Sequence, residues 1–123
     1  VNDFDTLGRI VAHAEAWRLD DHRLLSVRLA GQPVVRLHDD DVSAFASWVE
    51  HLSQKRMQVE RGASLSLITV SGLILCGKPI SVVMTVLSSL VPEFVAHDGL
   101  SIEDFVAVAA TRQRVLAPAK AGA

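Results

Sequence analysis

Two short runs bring histidine and aspartate together, His38-Asp39-Asp40-Asp41 and, earlier in the chain, Asp20-Asp21-His22. Such groups could do two kinds of chemistry. Carboxylates suit Mg²⁺ or Mn²⁺, a mixed histidine–carboxylate set suits Zn²⁺ or Fe²⁺, and either could move protons. Neighbouring residues in a chain rarely point at one ion, however, and neither run has a ligand spacing such as His-Glu-x-x-His. A structural role accounts for the second run more simply. Asp41 stands just before an apolar helical stretch, where a short oxygen-bearing side chain accepts the free N–H groups of the first turn. The aspartates beside it favour the positive end of the helix dipole. A later helix start repeats the logic with other residues: Ser101 can cap, Asp104 follows three positions on, and Leu100 can staple onto Phe105. No catalytic, cofactor-binding or metal-ligating residue is therefore assigned and no cofactor is expected. A metal-dependent enzyme built on the His/Asp clusters is kept as a second alternative.

Other reactive groups lack context. Cys76 lies beside a turn glycine, and none of His13, His22, His38, His51 and His97 forms a nucleophile signature with it. The spacing Gly72 to Gly77-Lys78 is followed by Pro79, which blocks the helix that a phosphate-binding loop must open. Trp17 and Trp48 fall near the apolar faces of predicted helices, where packing is their ordinary use and a binding hot spot the rarer one.

The elements that would position these residues follow from the apolar pattern. Leu7, Ile10, Val11, Ala14 and Trp17 recur at helical spacing over 5–17 and predict a first amphipathic helix. Two short strands, 24–29 and 34–38, flank a Gly-Pro turn. A second helix over 42–52 aligns Val42, Phe45, Val49 and Leu52. The polar segment 53–62 reads as a connection, although Met57 and Val59 would also suit a short strand. Two apolar strands follow, about 65–75 and 80–87, then a helix from Ile102 to about Arg114. Residues 117–123 read as a flexible tail behind a single domain spanning 1–116. Prolines at 33 and 79 cannot donate the closing hydrogen bond of a two-residue hairpin, so wider loops or parting strands are expected there.

The stretch Leu29-Ala-Gly31-Gln-Pro33 resembles Leu75-Cys-Gly77-Lys-Pro79, and a helix start follows each. This allows a degenerate repeat of a strand–strand–helix unit. The fold class expected is α+β: a single antiparallel sheet with about three helices packed mainly on one face.

Composition narrows the function. The chain has 123 residues, is half hydrophobic and 21% charged, and carries a formal charge of −2. That is a globular composition and a poor one for coating nucleic acid. One cysteine excludes an internal disulfide and fits a reducing cytoplasm. The first ten residues, VNDFDTLGRI, carry acids where a secretory signal carries bases. The long weakly charged stretch 63–91 is cut by Gly77-Lys78-Pro79 and is rich in Val, Ile, Ser and Thr, which favours strands over a membrane helix.

Both alternating positions of the later strands are largely apolar: Leu65, Leu67, Leu73 and Leu75 on one side, Ile68, Val70 and Ile74 on the other, then Val82, Val83, Met84 and Val86. A sheet covered on one side only should alternate with polar residues, so a second subunit or a protein partner is the expected cover. The leading expectation is a small cytoplasmic, non-enzymatic interaction or regulatory module, a homo-oligomer or a partner-binding subunit. Its partner-binding residues would be Val82, Val83, Met84 and Val86. The alternative is a dimeric DNA-binding regulator, in which Ser26, Arg28, Arg36 and His38 share the outer face of the first hairpin and Arg28 and Arg36 meet nucleic acid.

Overall fold

The structure, a computed structural model, describes residues 3–19, 24–29, 31–74, 77–91 and 101–121. Asp20-Asp21-His22, Leu75, Cys76, His97 and Leu100 lie outside the described residues. The chain runs α1 (Asp3–Ala16), β1 (Leu24–Arg28), β2 (Val34–Leu37), α2 (Val42–Glu50), β3 (Ser53–Arg61), β4 (Leu65–Leu73), β5 (Pro79–Leu87), a 3-10 turn (Ser88–Leu90) and α3 (Ile102–Ala121). The class is α+β, with three helices and a five-stranded sheet among the described residues.

The sheet is mixed, which corrects the expectation of a purely antiparallel one. Its order is β1-β2-β5-β4-β3, and β2 pairs with β5 in parallel while every other pair is antiparallel. The reason lies in the crossover. Parallel neighbours need a long connection that passes over the sheet. Here it consists of α2, which covers one face, followed by β3 and β4 before the chain returns as β5.

One face of the sheet forms the core. Val35 and Leu37 of β2, Ile68 and Val70 of β4, and Ile80, Val82, Met84 and Val86 of β5 are all fully buried. α2 lies over them in the middle of the helical layer. Its Phe45 meets Phe105 of α3 edge to face at 6.1 Å, and its Trp48 meets His13 of α1 at 6.2 Å. Val42, Phe45, Val49 and Leu52 are buried as their spacing requires.

The other face is less apolar than the sequence suggests. Val34, Arg36, Thr69, Ser71, Ser81, Val83 and Thr85 alternate with the core residues there, with Leu65, Leu67, Leu73 and Leu87 toward its ends. Hydroxyl contacts run across it: Ser71 with Ser81 at 3.2 Å, Gln32 Nε2 to Ser81 at 2.8 Å, and Arg36 Nη2 to Thr85 at 3.2 Å. These polar groups satisfy one another at the surface, so this face tolerates water better than a wall of leucine and valine would.

Three further elements differ from the expectation. Segment 53–62 is mostly strand: β3 turns Met57 and Val59 toward the core and bears Lys55, Arg56, Glu60 and Arg61, charges that guard an exposed sheet edge. α1 is rotated about its axis relative to the predicted face. Thr6, Ile10 and His13 point inward, and Leu7, Val11 and Trp17 do not. α3 continues past Arg114 to Ala121, through a segment that combines alanines with the helix-disfavouring Pro118.

The two hairpins share their turn chemistry. Gly31 and Gly77 both have positive φ (67° and 83°), a region where glycine has no steric penalty. Both loops are wider than two residues, as the prolines require: the ladders close at Arg28–Val34 and at Leu73–Pro79. The likeness stops at the turns. With β2 and β5 parallel neighbours, β1 and β4 outside them and both helices on one face, the two strand–strand–helix units have opposite hands. No rotation superposes them.

The alternation in β5 makes a sharp prediction. Val82 is fully buried under the helices, whereas Val83 faces the open side, 9% exposed and paired in register with Arg36. Val82→Asp should unfold the protein, since an unpaired buried charge costs several kcal/mol. Val83→Asp should remain folded by circular dichroism with a lowered urea midpoint. Unfolding of both variants would contradict the assignment of the two faces.

Candidate interaction surface

The aspartate run is held by backbone amides. Asp41 caps α2, its carboxylate accepting from the Ala44 N–H at 3.2 Å. Asp40 does more than the sequence suggests. It sits at φ 60°, donates its N–H to the Thr85 carbonyl at 2.9 Å, and accepts the Leu87 N–H on Oδ1 at 2.8 Å. Its own carbonyl accepts from Gln113 Nε2 of α3 at 2.6 Å. One residue thus ties the β2–α2 turn to β5 and to α3. His38 and Asp39 are exposed, and among the described residues no three His, Cys, Asp or Glu side chains gather as a metal site. Ser101 caps α3 as expected, accepting the Asp104 N–H at 3.1 Å.

Arg28 and Arg36 do share the outer face of the first hairpin, through the pairs Ser26–Arg36 and Arg28–Val34. Arg28 is exposed on the edge strand, and Arg36 is half-buried and bonded to Thr85. Of the four residues expected to meet a partner, Val82, Met84 and Val86 are fully buried beneath the helices. Within this chain they are core residues, and Val83 alone lies on the open face. The apolar run that prompted the expectation is explained by parity, since positions 80, 82, 84 and 86 all belong to the buried side.

Exposed apolar surface is found on α1 as well as at Leu65 and Leu87 of the open sheet face. Phe4, Leu7 and Val11 are 85%, 36% and 45% exposed, and their spacing of three and four residues places them in one stripe. Asp5 and Arg9 flank it, paired at 3.0 Å and about half exposed. The inner side of the same helix carries the polar Thr6 (5% exposed) and His13 (1%). This rotation could not be found from spacing, because Ile10 and Ala14 stay on the buried side while Leu7 and Val11 leave it, and the spacing does not say which edge of the apolar arc faces the core.

What holds α1 this way is a reciprocal pair of aromatic contacts. His13 of α1 packs on Trp48 of α2, and Trp17 at the end of α1 stacks on His51, the C-cap of α2, at 4.1 Å with the rings 5° from parallel. Burial holds the His13 imidazole below its ordinary value of 6.5, and repulsion from His51 adds to the effect. Among the described residues no helix is long and apolar enough to cross a membrane. Compared with family models, with curated proteins and with solved structures, the chain matches none.

Two predictions test these placements. Asp40→Ala should cost about 2 kcal/mol, from the lost Leu87 bond and from a Cβ without a compensating side chain at positive φ. Asp41→Ala should cost about 1 kcal/mol, and Asp41→Ser almost nothing. Urea midpoints of the three variants would check this, and a neutral Asp40→Ala would contradict the clasp.

The second concerns His13. Its folded pKa is depressed, so below the ordinary value the unfolded chain takes up a proton that the folded chain resists. Its contribution is complete above about pH 6.5 and is lost as the pH falls toward the folded value. Between about pH 7.5 and pH 5.5, stability should therefore fall more steeply in the parent than in His13→Gln. Equal slopes would remove His13 from the account.

Proposed function

We propose that the chain is a small cytoplasmic, non-enzymatic interaction module that works through self-association, with the outer stripe of α1 as its contact surface. The observation that carries this reading is the rotation of α1, which presents Phe4, Leu7 and Val11 to solvent while Thr6 and His13 join Ile10 on the buried side. A surface helix normally does the opposite. An apolar stripe on a helix is the usual means by which one helix seats on another surface, read as anchors three and four residues apart. A second copy is the simplest cover, since it presents the same stripe at the same concentration.

Magnitudes bound the strength of such a contact. Covering the exposed parts of these three side chains on each of two copies would contribute on the order of 8 kcal/mol. That lies within the cost of association, about 4–15 kcal/mol, and does not clearly exceed it. The association should therefore be weak and concentration-dependent, which suits a regulatory contact better than an obligate dimer.

Sedimentation across a wide concentration range provides the test. The parent should shift from lower to higher mass as concentration rises. Leu7→Glu combined with Val11→Lys should stay monomeric throughout while keeping the parent's circular dichroism, because both positions lie outside the core and the new pair has favourable i, i+4 order. Val83→Asp should associate as the parent does. A parent that stays monomeric at every concentration would overturn the proposal, and loss of association in Val83→Asp alone would move the contact to the open sheet face.

A further inference from the structure

The open side of the sheet is unevenly charged. Arg28 of β1 and Arg56 of β3 are exposed there, and Arg36 of β2 is half-buried between them, its Nη2 bonded to Thr85. Arg28, Val34, Ser81, Ser71 and Arg56 form one row across all five strands, and Arg36, Val83, Thr69 and Gln58 belong to the next. The strands carry one acid on that side, Glu60, which pairs with Leu67 toward the far end of β3. Among the described residues none of the three arginines lies within ion-pairing distance of a carboxylate. The chain's net charge of −2 thus coexists with a face that is locally positive.

Distance decides the size of the ligand. Four interstrand spacings put Arg28 and Arg56 roughly 19 Å apart. No small anion reaches both, so a ligand that engages the whole face must be a chain with repeated negative charge. The middle of the face has no free backbone groups, because β2, β5 and β4 are paired on both sides. An acidic peptide would therefore lose the main-chain hydrogen bonds that give strand addition its affinity. Between the arginines lie the hydroxyls of Ser71, Ser81 and Thr69 and the amide of Gln58. Arginine forks, hydroxyls and amides are ordinary partners of phosphate oxygens. A free two-stranded ribbon can enter a major groove, but this one continues into β5. Lying face down, a sheet roughly 19 Å across does not fit a groove about 12 Å wide. A flexible single strand can follow the twist of the sheet and meets no such obstacle.

We propose that the open sheet face binds the phosphate backbone of single-stranded nucleic acid, with Arg28, Arg36 and Arg56 as its anchors. No aromatic side chain lies on this face among the described residues, so the bases have nothing to stack on. The binding is therefore weak, salt-sensitive and indifferent to sequence. It is independent of what covers α1, which lies on the other side of the sheet.

Fluorescence anisotropy of a labelled oligothymidylate of about twenty nucleotides provides the test. At about 20 mM salt it should bind saturably, with a Kd of about 100 μM or below. With three phosphates neutralised, affinity should fall roughly a hundredfold by about 200 mM salt. Arg28→Gln and Arg56→Gln, both at exposed positions, should each weaken binding and remove about a third of the salt slope. Lys55→Gln makes the same change of charge next to Arg56, but on the helix side of β3, and should bind as the parent does. So should the Leu7→Glu, Val11→Lys variant. The proposal is overturned if no saturable binding occurs at low salt, or if Lys55→Gln loses as much affinity as Arg56→Gln. It is equally overturned if a duplex of the same length binds as tightly, or if polyglutamate displaces the oligonucleotide as readily as unlabelled oligothymidylate does.

Discussion

Two aromatic side chains of one short helix hold the helical layer together. Phe45 and Trp48 of α2 are buried in the same core over β2, β4 and β5, and each also reaches sideways, to Phe105 of α3 and His13 of α1. α2 can occupy this central position only because the crossover from β2 to β5 carries it over the sheet, and Asp40 and Asp41 fix where it starts. The N-cap sets the phase of the helix, and the Asp40 contacts with β5 and α3 set its distance from the sheet and its neighbour. With that turn in place, the positions that face α1 and α3 follow from helical geometry.

α1 is attached differently. Its docking side sets Ile10, with the smaller Ala14 beside it, among a threonine and a histidine. The aromatic contacts of His13 and Trp17 therefore carry a large share of its attachment. A charge on His13 would have to be accommodated in that buried contact, which couples the seating of α1 to proton activity. The same helix bears the exposed apolar stripe, so the element proposed to meet another molecule is also held to the body by a titratable group.

Much of the fold was legible in the sequence, for identifiable reasons. Asp41 and Ser101 announced helix starts because capping is a local interaction that needs no knowledge of the fold. The prolines at 33 and 79 forecast wide loops because a missing N–H is a property of the residue alone. The α+β class followed from periodicity. What remained hidden was set by long-range pairing. The parallel β2–β5 contact depends on the path of a crossover, and the alternation of β5 could not say which parity faced inward, so Val82, Met84 and Val86 were read as surface. β3 read first as a connection, with a short strand left open on Met57 and Val59, because an edge strand carries the charges that a linker would. The phase of α1 depends on partners for His13 and Trp17 that lie on another helix, and the exposed stripe escaped with it.

In the proposed function, the outer stripe of α1 meets a second copy of the chain. The most direct test of this contact is a filtered NOE measurement on an equimolar mixture of isotopically labelled and unlabelled protein at high concentration. The account predicts intermolecular contacts among the Phe4 ring and the methyl groups of Leu7 and Val11. Intermolecular contacts confined to Leu65, Leu67 and Val83 of the open sheet face, or none at all, would contradict it.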